Sequence, residues 1–228
     1  MLQIKPYLNR RLTGLEMLVV VFSISALIGL GCLAYNFIAA KALEVKVEAA
    51  IPKVLEDIRT QRAKLVSALE AYKVKFGTYP PDHIVGRSPL VVDAVTNTLL
   101  YELAGVTLDS TNNTLTVGRL ERADAGFVKG FFHCDGFTNC AASEDKLERF
   151  LPVADLTVLQ LHDDPDVYSL GFPLYSEEID LKAMYQMQVS SWRYVSTSPT
   201  NNPKTYDLWI ELKASNRTMI IGNWNAVN

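Results

Sequence analysis

From residue 17 to residue 40 the chain carries no charged side chain, a run of 24 residues. As an α-helix this run is about 36 Å long, enough to cross a hydrocarbon core of about 30 Å. The pattern then changes without a turn signal. Ile51, Leu55, Ile58, Leu65, Leu69, Tyr72 and Phe76 recur at three- and four-residue spacing, with Arg62 as one polar break, while Lys53, Glu56, Asp57, Lys64 and Lys75 fall on the opposite face. That is the period of an amphipathic helix. Pro52 lacks a backbone donor and is expected to kink or segment it. Gly77 is placed to end it. Towards the C-terminus the period shortens to that of strands. Residues 191–197, 205–213 and 218–224 are rich in β-branched and aromatic side chains, with polar turn residues between them, which predicts an antiparallel meander.

These patterns divide the chain into a basic leader (1–11), a transmembrane helix (12–40), an amphipathic helix (41–76), a variable head region (77–185) and a C-terminal antiparallel sheet (186–228). The fold class is α+β, with the long helix packed on the sheet so that each covers the apolar face of the other. The head region offers turn signals at Gly77, Pro80-Pro81, Gly86, Pro89 and Asn112-Asn113, but no repeat and no low-complexity tract.

Charge orients the apolar helix. Lys5, Arg10 and Arg11 precede it with no acid among them, and Lys41, Glu44, Lys46 and Glu48 follow it. The positive-inside rule puts the N-terminus in the cytoplasm and the chain after about residue 41 outside. The net charge of −3, with no basic run beyond the leader, gives nucleic-acid binding little electrostatic support. There is no Gly-x-Ser-x-Gly, no His-Glu-x-x-His and no phosphate-cradling glycine loop, so the chain reads as a structural protein and not an enzyme.

The segment Leu12-Thr13-Gly14-Leu15-Glu16-Met17-Leu18-Val19-Val20-Val21 resembles the prepilin cleavage and methylation motif. Ala68-Leu69-Glu70-Ala71-Tyr72-Lys73-Val74-Lys75-Phe76-Gly77-Thr78-Tyr79-Pro80-Pro81-Asp82 is similar to the end of the long helix of major pseudopilins. Trp192-Arg193-Tyr194-Val195 and Tyr206-Asp207-Leu208-Trp209 are similar to strands of their C-terminal sheet. The resemblance is to the type IV pilin and type II secretion pseudopilin family, with its pilin-like fold. It implies an envelope-spanning filament subunit in the bacterial inner membrane, with a single pass and a periplasmic head. The implied partners are further copies or other pseudopilins, an inner-membrane assembly platform, a prepilin peptidase and membrane lipid. By the same resemblance Arg11 and Leu12 flank the processing site, and Thr13 and Glu16 serve assembly. There Glu16 would meet the N-terminal amine of a neighbouring subunit and so set axial register. Against that stands a Glu16 that lies at the headgroup level and stays hydrated. Two departures stand out. Arg11 occupies the position where the family has glycine, and Ile210-Glu211-Leu212-Lys213 replaces the calcium loop, leaving Asp207 as the one residue at a ligand position. No cofactor is expected. Alternatives are a type IV pilus pilin or minor pilin, and a signal-anchored or secreted binding module, for which Ala40-Lys41-Ala42 offers an ordinary signal-peptidase pattern.

Other residues carry candidate chemistry. Cys134 and Cys140 read first as a disulfide formed in an oxidising compartment, next as two ligands of a metal site with His133 and Asp135, and last as free thiols. The run His162-Asp163-Asp164-Pro165-Asp166 has oxygen ligands for a hard cation but reads better as a solvated turn, and Glu177-Glu178 as surface. Asn112-Asn113-Thr114 matches a glycosylation acceptor. Trp192, Tyr194, Tyr206, Trp209 and Trp224 have the strand spacing of a packed sheet and could otherwise line a groove. Gly29 and Gly31 permit close approach of another helix.

Overall fold

A computed structural model describes residues 13–87, 90–118, 123–152, 157–160, 167–174, 183–184 and 187–224. Helix α1 spans Gly14–Phe76 without interruption. The chain divides into two compact units, Met1–Lys46 and Val47–Asn228, so α1 contributes to both.

In the first unit every described residue from 13 to 42 is exposed. This stretch is uncharged from Met17 to Ala40 and makes α1 one helix long and apolar enough to cross a membrane. Ser23 and Ser25 return their hydroxyls to the carbonyls of Val19 and Val21, at 2.8 and 2.9 Å, so neither presents an unmet donor to its surroundings. Gly29 and Gly31 have open space where a Cβ would stand.

In the second unit the amphipathic period appears as burial. Val47, Ala50, Ile51, Val54, Ile58, Leu65, Ala68, Leu69 and Tyr72 are buried, and Leu55 and Phe76 pack on the same core. Pro52 does not segment the helix as expected. It removes one donor only, and the buried neighbours Ala50, Ile51 and Val54 hold the turns on both sides. Gly77 ends α1 in the left-handed region (φ +82°), returning its N–H to the Lys73 carbonyl at 2.8 Å.

The head follows as strands β1 (Ile84–Arg87) and β2 (Leu90–Val92), helix α2 (Leu99–Ala104), strands β3 (Val106–Asp109), β4 (Thr114–Thr116) and β5 (Ala123–Asp124), and helix α3 (Ala125–Phe131). Strands β6 (Cys140–Ala141), β7 (Val158–Gln160), β8 (Tyr168–Leu170), β9 (Met187–Val189), β10 (Arg193–Val195), β11 (Asp207–Ala214) and β12 (Arg217–Gly222) complete it. Strands β5, β4, β3 and β6 make one sheet, in which β3 and β6 run parallel. β1 pairs with β2, and β7 with β8, each antiparallel. The sequence LLYELA of α2 is buried on every side, as expected of a helix in the middle of a core.

The C-terminal sheet is the antiparallel meander β10-β11-β12, with β9 on the same edge of β11 as β10. Val195 faces Asp207 and Arg193 faces Trp209, whereas Val189 faces Leu212. Between the two pairings one strand advances four residues and β11 three, which is a one-residue bulge. Ser190 fills the ladder there: its N–H meets the Glu211 carbonyl, and its hydroxyl receives the Glu211 N–H. Trp192 is turned out of the ladder. Its N–H meets the Leu170 carbonyl of β8 at 2.9 Å, its carbonyl accepts from Asn97, and its ring Nε1 reaches Gln61 of α1 at 2.8 Å. One bulge thus ties β8, α1 and the loop before α2 to one fully buried residue. Arg62, the polar break in the apolar period of α1, donates to the Gly222 carbonyl of β12. The amphipathic half of α1 and the C-terminal sheet therefore share one core.

Candidate functional site

The processing residues Arg11 and Leu12 lie outside the described residues. Thr13 and Glu16 are brought together. The Glu16 carboxylate accepts the Thr13 N–H at 2.8 Å and its hydroxyl at 3.0 Å, while the Thr13 carbonyl takes the first helical bond, from Met17. This is a capping box. The Glu16 N–H returns to the Thr13 hydroxyl oxygen at 3.4 Å, so the two residues satisfy each other's backbone donors at the start of the helix. The carboxylate also sits at the positive end of the helix dipole. Neither of the two roles read from the sequence anticipates this partner, although the spacing Thr-x-x-Glu carries it. Ala40-Lys41-Ala42 lies within the unbroken α1.

A second constellation lies where α1 ends against the head. Glu102 of α2 is fully buried. Its carboxylate accepts the Tyr72 hydroxyl at 2.9 Å, the Thr138 N–H at 2.9 Å and the Asn139 N–H at 3.0 Å. The Asn139 amide returns to the carbonyls of Glu102 and Glu148. Burial pushes the Glu102 pKa above the usual carboxylate range, and the three donors oppose that rise. Burial likewise raises the Tyr72 hydroxyl. With every oxygen facing a donor, the group is a structural clamp between α1, α2 and the 138–139 segment. An acid inside an apolar six-residue helix was the only sequence signal for it.

Asp207 and Asp82 are the other buried acids among the described residues. Asp207 accepts the backbone N–H groups of Thr200, Asn201 and Asn202 at 2.8–2.9 Å, together with the Asn201 side-chain amide. Four N–H donors surround the carboxylate where a cation would need it bare. Asp207 is thus an anchor for the loop before β11. Asp82 does the same for the chain after β10, accepting the N–H and hydroxyl of Ser196 and the N–H of Thr197. Tyr194 and Ser196 also reach the Pro80 carbonyl, so the Tyr-Pro-Pro-Asp segment is stitched to the sheet. Among the described residues no cluster of three or more His, Cys, Asp or Glu is placed to hold a metal.

Cys134 and Cys140 stand as free thiols, not as the expected disulfide. Separate frames fix them. Cys134 closes the end of α3 through its N–H to the Lys129 carbonyl, and Cys140 pairs with Val106. Burial raises both thiols above their ordinary range, which makes them poor metal ligands and poor nucleophiles. Trp192, Tyr194 and Tyr206 are buried, and Trp209 packs edge-on against Trp224 at 5.6 Å, so the aromatics build the sheet and its core. Asn112 and Asn113 sit in the exposed β3–β4 turn. The runs at 162–166 and 177–178 lie outside the described residues.

Comparison with protein-family models, with curated proteins and with solved structures gave no match.

Proposed function

We propose that this chain is a structural, non-catalytic subunit of the pseudopilin kind. It would be held in the inner membrane by the N-terminal half of α1 and would assemble through that half into a short envelope-spanning filament of a type II secretion system. The observation that carries the reading is the uncharged helical stretch after Glu16, whose large apolar side chains are all exposed, from Leu18 through Phe22, Leu27 and Leu33 to Ile38. Apolar surface of this extent is stable in lipid or against like helices, and not in water. The Thr13–Glu16 pair, the Tyr79-Pro80 exit from α1 and the antiparallel C-terminal sheet support the same reading. In a filament Glu16 would exchange its internal cap for the N-terminal amine of the next copy, an exchange of one set of N–H donors for a charged one.

Glu16→Ala tests this directly. Membrane insertion should persist, because one residue at the end of a long apolar run contributes little to partitioning. Assembly, read by cross-linking between copies in the membrane, should fall severalfold. Equal assembly by the variant would remove the register role.

One observation favours a second reading, a membrane-anchored module that stays single. Glu16 already has a partner within its own helix. The mature N-terminus separates the readings: Leu12 supports the filament subunit, Met1 an uncleaved anchor, and Leu43 a secreted module.

A further inference from the structure

We propose that His83 and His133 form an acid-released latch that holds the β1–β2 hairpin against the end of α3.

The two rings lie 5.2 Å apart, centroid to centroid. His83 stands just before β1 and His133 just after α3. Each turns Nδ1 to a main-chain carbonyl: His83 to Thr96 at 2.9 Å, and His133 to Ile84 at 3.3 Å. A carbonyl only accepts, so Nδ1 of His83 must carry the proton, and its Nε2 is left as a bare lone pair. That Nε2 is buried and meets no donor or acceptor. His83 as a whole is 5% exposed and packs on the rings of Phe131 and Phe132. His133 is held at φ +50°, a region that non-glycine residues enter at a cost. The seam is therefore built from two titratable rings, one of them strained and the other buried with an unmet atom.

The one basic atom left on His83 is Nε2, and no acceptor awaits a proton there. The resulting cation would lie in an aromatic pocket beside a second imidazole. Two charged groups face His83: His133, which opposes the charge, and Asp93, which favours it. Asp93 is committed elsewhere, accepting the N–H groups of Val95 and Thr96. Burial outweighs Asp93 and holds the His83 pKa below the ordinary histidine range. The sign follows. Below about pH 6.5 the unfolded chain takes up a proton at this residue that the closed seam refuses, so the closed form loses stability as pH falls through that value. Among the described residues the hairpin's two strands pair with each other and with no third strand, and the main-chain bond from Asp93 N–H to the His83 carbonyl closes its base. Ile84, Val85 and Val91 are already partly exposed on it, so release would uncover apolar strand surface at acid pH.

Hydrogen exchange read by mass spectrometry on the full chain in detergent tests the latch, at about pH 7.5 and about pH 5, after correction for the intrinsic rate. Amides of residues 84–87 and 90–92 should exchange severalfold faster at the lower pH. Amides of β11 should not change. His83→Asn keeps an N–H donor for the Thr96 carbonyl and should abolish the pH step. His133→Asn suits the left-handed backbone and should reduce it. If His83→Asn leaves the hairpin open at both pH values, His133→Asn decides: a reduced step supports the latch and an unchanged one overturns it. A wild-type hairpin indifferent to pH, a step that persists in His83→Asn, or a step shared equally by β11 would each overturn it.

Discussion

The clamp at Glu102 makes a prediction that can be worked from its geometry. Tyr72→Phe removes one of three donors from a buried carboxylate and leaves the ring in its packed place against Phe76 and Phe150. A hydrogen bond to a charged group contributes about 1.5–3 kcal/mol, so the variant should lose about 2 kcal/mol. Glu102→Gln places an amide where one oxygen stood. Its NH₂ cannot accept the N–H that faced that oxygen, so that variant loses one charge-assisted bond, again about 2 kcal/mol. If Tyr72 acts through the carboxylate, the two losses are not additive. The double variant should recover about 1 kcal/mol relative to their sum, the range seen for groups in direct contact. The assay is urea unfolding of the full chain in detergent, followed by the fluorescence of the buried Trp192. The pH dependence has a definite sign. Burial raises the folded pKa of Glu102, so the stability due to its proton is fully present below about pH 4.5 and is lost as pH rises through the folded value. Glu102→Gln removes that slope. Strict additivity in the cycle, or a loss under about 0.5 kcal/mol for Tyr72→Phe, would refute the clamp.

Three further outcomes follow from the packing. Leu69→Ala opens a cavity at a fully buried position of α1 and should cost about 2–5 kcal/mol in the same unfolding assay. Asp207→Ala leaves three backbone N–H groups and an amide without their acceptor and should lower the melting temperature by several degrees. A chelator should leave the wild-type melting temperature unmoved, since those donors already satisfy the carboxylate. Gly105→Ala combines a positive φ of +79° with a Cβ that would come within 3.2 Å of the Asn139 amide, so it should destabilise by about 1–2 kcal/mol, visible as a lower urea midpoint.

The long-range plan of the fold was written in period and composition. An uncharged run too long for a core helix, joined without a turn to an amphipathic one, leaves few ways to bury both surfaces, and α1 follows that pattern residue by residue from Ile51 to Tyr72. Pro52 does not segment α1, because propensity counts the missing bond but not the buried side chains that hold the turns around it. The meander from β10 to β12 was legible in its β-branched and aromatic runs and in the tight turn between β11 and β12, although eleven residues join β10 to β11. β9 was not, since Met187–Val189 is three residues long and gains its place only through the bulge at Ser190 and Trp192. The sheet of β3 to β6 escaped for a similar reason, as strands of two to four residues leave almost no period. Of the candidate site, the pairing of Thr13 with Glu16 was readable as spacing. The roles of Glu102, Asp82 and Asp207 were hidden, because an acid gives no sign in sequence of the N–H groups that will surround it.

The proposed function is tested most directly at Cys32, a native thiol exposed on the apolar half of α1. In a Cys134→Ser, Cys140→Ser background, isolated membranes are treated with a membrane-permeant oxidant and the chain is resolved without reductant. The account predicts a Cys32-linked dimer that withstands alkaline washing of the membranes and falls severalfold in Glu16→Ala. A chain released by the wash, or one that stays in the membrane and never forms the dimer, would contradict it.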